Sequence, residues 1–160
     1  MVRIVSFVWT LTALFFLVSL AYIYANVGEV VNLDGSMRSI SEYSLRRGPF
    51  FFTMLGVFMV INIIFRGFGY LLQRVPVATL NRPSFFPSQA FKDQLVTWVV
   101  SFSAIINISI SFSVIIIGFA NYAVNPRSTA IGGFSYVGLA LMIGWIAWLV
   151  VILFRRKSLK

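Results

Sequence analysis

Four long runs of apolar side chains constrain this chain more than any other feature. They cover residues 4–25, 50–72, 95–120 and 132–154, and each reaches the ~20 residues that a helix needs to cross a hydrocarbon core of ~30 Å. Hydrophobic residues make up 59% of the 160 and charged ones only 11%, far from the balance of a water-soluble domain. An isolated strand in hydrocarbon leaves its backbone groups unsatisfied, so runs of this kind fold as helices. The sequence predicts an all-α protein, an integral membrane four-helix bundle forming a single domain over residues 1–160.

Charge then sets the direction of the spans. Arg3, Arg74, Arg82, Lys92, Arg155, Arg156, Lys157 and Lys160 fall on one side of a four-span chain, against Arg38, Arg46, Arg47 and Arg127 on the other. This bias places both termini in the cytoplasm by the positive-inside rule. Tyr22, Tyr24, Tyr122 and Tyr136 at one set of span ends, and Tyr70 and Trp98 at the other, fit aromatic anchors at the two interfaces. A cleaved signal peptide is the competing reading of the first run, but Ile23 and Tyr24 match a small-residue cleavage site poorly, and a retained helix is expected. The +9 charge is spread through short segments between the apolar runs. It marks topology and not a basic face for nucleic acid.

The segments between the runs carry their own signals. Val30 to Leu33 precede Asp34-Gly35, a dipeptide suited to a tight hairpin turn. Ser39 and Glu42 have capping-box spacing and Gly48-Pro49 reads as a stop, so residues 40–47 are expected to form a short surface helix within a partly ordered external loop. Between Arg74 and Asp93, Pro76, Pro83 and Pro87 forbid a continuous helix. Phe85, Phe86 and Phe91, interleaved with Arg82 and Lys92, are expected to lie in the membrane interface.

The apolar helix ending in Tyr22, Tyr24 and Ala25, the segment Val30 to Gly35, Ser41, and the run Pro49-Phe50-Phe51-Phe52 give a resemblance over roughly residues 20–65. In these the chain resembles uncharacterised small bacterial four-helix membrane proteins and, more remotely, the N-terminal membrane module of killing-factor immunity proteins. That module has a proline and a histidine near its start, where this chain has Val27, Gly28 and Glu29. The resemblance implies a bacterial cytoplasmic membrane and an immunity-like alternative function. It carries over no catalytic residue.

Polar side chains within the apolar runs are few. Arg66 shares a helix face with Asn62 and Gln73. It is a candidate, with Arg74, Arg82 and Lys92, for contact with lipid headgroups or an anion. In the third run, Ser103, Asn107, Ser111 and Gly118 fall on one stripe at 100° per residue, while Ser109 and Ser113 fall elsewhere. That stripe, the series Ser6, Thr10, Ala13 and Ala21 in the first run, and Gly133, Ala140, Gly144 and Ala147 in the fourth, are expected to be helix-packing or partner contacts, since small residues let backbones approach. Trp145 and Trp148 border the last series.

Chemistry is sparse. With no cysteine and no histidine, disulfides, iron–sulfur clusters and the commonest haem, zinc and copper ligands are absent. No nucleophile stands with a base at a motif spacing, and no carboxylate lies deep in a span to carry protons. The sequence therefore points to a non-enzymatic membrane protein with no catalytic residue, no cofactor and no metal. The leading expectation is an accessory, scaffolding or assembly subunit whose partners are membrane lipids and other transmembrane subunits or copies of itself. A small oligomeric transporter or channel is the main alternative.

Overall fold

The protein is described here by a computed structural model covering residues 2–33, 43–79, 84–122 and 130–155, with backbone alone for 2–3, 122 and 130–135. In chain order it has α1 (Val2–Asn26), β1 (Val30–Asn32), β2 (Ser44–Arg46), α2 (Arg47–Arg74), α3 (Gln89–Tyr122) and α4 (Ala130–Phe154). All four helices are long and apolar enough to cross a membrane.

Each helix boundary has a local cause. Val75 closes α2, its N–H donating to the Leu72 carbonyl, and Pro76 cannot continue the ladder. Pro87 ends the connecting segment, and Ser88 then caps α3, its Oγ accepting from the Phe91 N–H at 3.4 Å. The third helix therefore starts six residues earlier than the apolar run, with Gln89 to Gln94 forming an amphipathic first turn and a half. Gly48-Pro49 is not a stop. It lies in the first turn of α2, where proline is tolerated because those N–H groups have no intrahelical partner.

The expected surface helix over 40–47 is also corrected. Residues Ser44–Arg46 are extended and pair antiparallel with Val30–Asn32, in the register Val30↔Arg46, Val31↔Leu45 and Asn32↔Ser44. The two strands form a short hairpin; Asp34-Gly35, expected as its tight turn, lies outside the described residues. Val31 is completely buried, which explains why the pairing holds: one strand side chain plugs the end of the helical core.

The helices alternate in direction. Phe15 meets Phe112 and Ile23 meets Gly118, so α1 and α3 run parallel. Gly69 faces Val100, and Gly138 faces Ser109, so α2 and α4 run antiparallel to α3. Hence the start of α1 and the end of α4 lie at the same end of the molecule. α3 is the axle: it packs extensively on α1, α2 and α4, whereas α1 and α2 touch each other little and α4 rests chiefly on α3.

Two hydrophobic clusters sit at opposite ends. One gathers Phe16, Leu20, Ile23, Val27, Val31, Phe50, Phe58 and Val114 around the hairpin, with Phe16 and Phe58 stacked at 4.3 Å. The other holds Phe86, Phe91, Leu95 and Ile152. Phe86 and Phe91 are fully buried and only Phe85 is exposed, so the lipid contact expected of all three is left to Phe85 alone. The Ala78 N–H donates to the Phe86 carbonyl and folds this segment back under the helices.

Candidate functional site

A pair of buried asparagines lies between α2 and α3. Asn62 and Asn107 lie within two residues of the midpoints of α2 and α3. Their amides face each other reciprocally: Asn62 Nδ2 donates to Asn107 Oδ1 at 2.8 Å, and Asn107 Nδ2 donates to Asn62 Oδ1 at 3.1 Å. Asn62 also donates to the Phe58 carbonyl and accepts from Trp9 Nε1, both at 2.8 Å. Arg66, one turn along α2, lies with its guanidinium 4.2 Å from the centre of the Trp9 ring and donates to Ser6 Oγ at 3.4 Å. One connected network thus ties α1, α2 and α3. It satisfies buried amides that would otherwise cost about 1–3 kcal/mol each.

Ser103, Asn107 and Ser111 are fully buried, and Gly118 lies under Ile23 of α1, so these four stripe residues face the α1/α2 side. The two serines return their hydroxyls to their own helix, to the carbonyls of Val100 and Asn107. Ser109 lies off this seam but not outside the packing. It is buried on the opposite face, where a Cβ on Gly138 would meet its Oγ at 2.9 Å and its Cα at 3.3 Å. Small residues therefore serve two seams of α3, one toward α1 and α2 and one toward α4.

The stripes expected on α1 and α4 are placed differently. Thr10 and Ala21 are exposed, whereas Ser6 and Ala13 are half-buried, Ala13 against the Phe16 cluster; the buried face of α1 is carried by Thr12, Phe16, Ser19 and Ile23. On α4, Gly138, Met142, Trp145, Leu149 and Ile152 form the face covered by α3, while Ala140, Gly144 and Ala147 are exposed on the far side. A Cβ on Gly144 would meet nothing within 4 Å. Gly133 falls in α4, where only the backbone is described. The far side carries a shallow apolar groove lined by Val137, Ala140, Leu141, Gly144, Trp145 and Trp148.

The cations divide as well. Arg74 is exposed and sits over the Tyr70 ring, 4.4 Å from its centre, with a hydrogen bond to the Tyr70 hydroxyl. Lys92 Nζ donates to the carbonyls of Gln73 and Val75 at 2.6 and 2.7 Å, so its ammonium closes the C-terminal end of α2. Arg82 lies outside the described residues.

Beside that end, α3 floors a cleft of ≈ 680 Å³ walled by α1 and α4. Its lining includes Val5, Asp93, Gln94, Thr97, Trp98, Ser101, Trp145 and Trp148. Trp98 Nε1 donates to the Trp145 carbonyl at 2.8 Å and pins the floor to the α4 wall. The buried Trp145 Nε1 finds no acceptor among the described residues.

Sequence reasoning missed three of these features. Trp9 was passed over as one aromatic among many in an apolar run, although its place on the helix turn after Ser6 could have marked a shared face. Asn121 was missed too: its amide accepts from the Asn32 N–H at 2.7 Å and donates to the Asn32 carbonyl at 2.9 Å, extending the hairpin as a strand would. The cleft has no sequence signature, because its lining comes from three helices. Among the described residues no cluster of three or more acidic, histidine or cysteine side chains could hold a metal ion. Comparison with protein-family models, curated proteins and solved structures gives no match.

Proposed function

We propose that this chain is an integral membrane protein that works as a non-enzymatic accessory or scaffolding subunit, docking other transmembrane helices, or copies of itself, on the outer face of α4. The spans are α1 to α4, with both termini on the cytoplasmic side of a bacterial membrane. The observation that carries the reading is Gly144. It lies with Ala140 and Ala147 on the side of α4 away from α3, and a side chain added there would meet nothing. In a bilayer, small residues bring helices close and packing supplies the attraction. Inside the fold, by contrast, Gly118 and Gly138 are already covered by Ile23 and Ser109.

The central amides favour this reading over transport. Asn62 and Asn107 spend their hydrogen bonds on each other, on Trp9 and on the Phe58 carbonyl, and the buried Ser103 and Ser111 hydroxyls are spent on carbonyls of their own helix, so these groups are engaged in packing and not turned to a solute path. The test is Gly144→Leu, read two ways after extraction in mild detergent. Thermal unfolding of the purified chain is expected to stay within about 0.5 kcal/mol of the parent, as for an exposed substitution. Intact-particle mass spectrometry is expected to show loss of the associated subunits or copies. An unfolded chain would reassign the stripe to internal packing, and unchanged association would defeat the docking role.

A further inference from the structure

We propose that the cleft between α1, α3 and α4 is a binding site for a phospholipid with an ammonium headgroup, an aminophospholipid of the phosphatidylethanolamine type. This rests on the membrane reading above. The argument starts from depth. If α3 (Gln89–Tyr122) is centred in a hydrocarbon core of ~30 Å, at 1.5 Å per residue, the core begins about at Val96. Asp93 and Gln94 then lie in the headgroup layer. Trp98 and Ser101 lie at and below the hydrocarbon boundary. From Asp93 to Trp98 the helix rises about 7.5 Å, close to the ~5–7 Å that each headgroup layer adds outside the core.

The chemistry of the lining follows the same gradient. Asp93 is exposed and, among the described residues, is the only charged one lining the cleft. The other three acidic residues of the chain, Glu29, Asp34 and Glu42, all fall in the segment joining α1 to α2. In a protein of net charge +9, general attraction favours anionic lipids everywhere, but this one mouth offers a carboxylate. Gln89 Nε2 donates to Asp93 Oδ1 at 2.7 Å and holds the carboxylate at the rim. The nearest cation in sequence, Lys92, is turned to the α2 carbonyls. Deeper in, three of the four tryptophans, Trp98, Trp145 and Trp148, line the walls. Indole rings attract alkylammonium groups and pack against glycerol and acyl carbons.

The concentration of tryptophans makes the site readable by its own fluorescence. The full chain is reconstituted into equimolar phosphatidylethanolamine and phosphatidylglycerol vesicles, with bromine, a quencher, on the chains of one lipid or the other. The expected result is stronger quenching by brominated phosphatidylethanolamine, corresponding to about a fivefold preference at the site, the factor that one headgroup charge contact supplies. Asp93→Asn, isosteric and exposed, is expected to abolish that preference with helical content unchanged. Equal quenching by both lipids would mean ordinary annular contact and overturns the site, leaving the membrane reading intact. Preference for phosphatidylglycerol, or a phosphatidylethanolamine preference that survives Asp93→Asn, also overturns it. Quenching by neither lipid would overturn the membrane reading itself.

Discussion

The reciprocal amides of Asn62 and Asn107 show how a residue's worth depends on who depends on it. Asn107 makes both of its side-chain hydrogen bonds to Asn62, whereas Asn62 also serves Trp9 Nε1 and the Phe58 carbonyl. Replacing Asn107 by leucine leaves Asn62 with two partners. Replacing Asn62 by leucine strands both the Asn107 amide and the Trp9 N–H, which carries Arg66 over its ring. Thermal or denaturant unfolding in detergent should therefore show Asn107→Leu costing about 1 kcal/mol, and Asn62→Leu about 2–3 kcal/mol, as expected for buried groups left without partners. Equal effects, or the reverse order, would show that the amide pair is not the hub of this network. That Asn107 faces protein was legible from its stripe with Ser103, Ser111 and Gly118, because a polar side chain in an apolar helix seeks the interior. Which helix answers it, and that Trp9 joins in, depends on how three helices are rotated, and no single helix records that.

At the scale of elements, the glycines separate close packing from open surface. A methyl group at Gly118 would meet both Cγ atoms of Ile23 at 2.7 Å, and Ile23 is β-branched and buried, with little freedom to move aside. Gly67, on α2, has nothing within 4 Å of such a methyl. Gly118→Ala should cost about 1–3 kcal/mol through overpacking, while Gly67→Ala should be neutral or stabilise by up to about 1 kcal/mol through helix propensity. Ile23→Ala should recover part of the loss in the Gly118→Ala background and destabilise the parent, a reversal of sign measurable by a double-mutant cycle in unfolding experiments. The apolar runs made all four helices legible, because run length and hydrophobicity are properties of one segment. Their ends were less so: α3 begins at Ser88 through a hydroxyl cap, and polar Gln89 to Gln94 conceal a helix from any count of apolar residues. The small-residue stripes are divided on both α1 and α4, because small side chains suit both a tight seam and a bare face. Only the neighbour decides between them.

For the whole molecule, the alternation of helix direction around α3 fixes which segments share an end. The start of α1, the end of α2, the start of α3 and the end of α4 come together there, and the hairpin of β1 and β2 closes the other end. Apart from Arg66, within α2, the Lys and Arg residues of the sequence divide along the same line: Arg3, Arg74, Arg82, Lys92 and the four after Phe154 belong to segments of the first end, against Arg38, Arg46, Arg47 and Arg127 for the second. On the proposed orientation the richer end lies in the cytoplasm. A single cysteine is easily placed because the chain has none of its own. In intact cells, Ser158→Cys should resist a membrane-impermeant maleimide until the membrane is permeabilised, while Ser36→Cys, in the segment between β1 and β2, should react at once. The reverse pattern would invert the protein and move the Asp93 cleft to the opposite leaflet. Labelling of both positions in intact cells would mean an even number of crossings between them, which the three helices α2, α3 and α4 do not permit, or else reagent leakage, which a cytosolic cysteine control excludes.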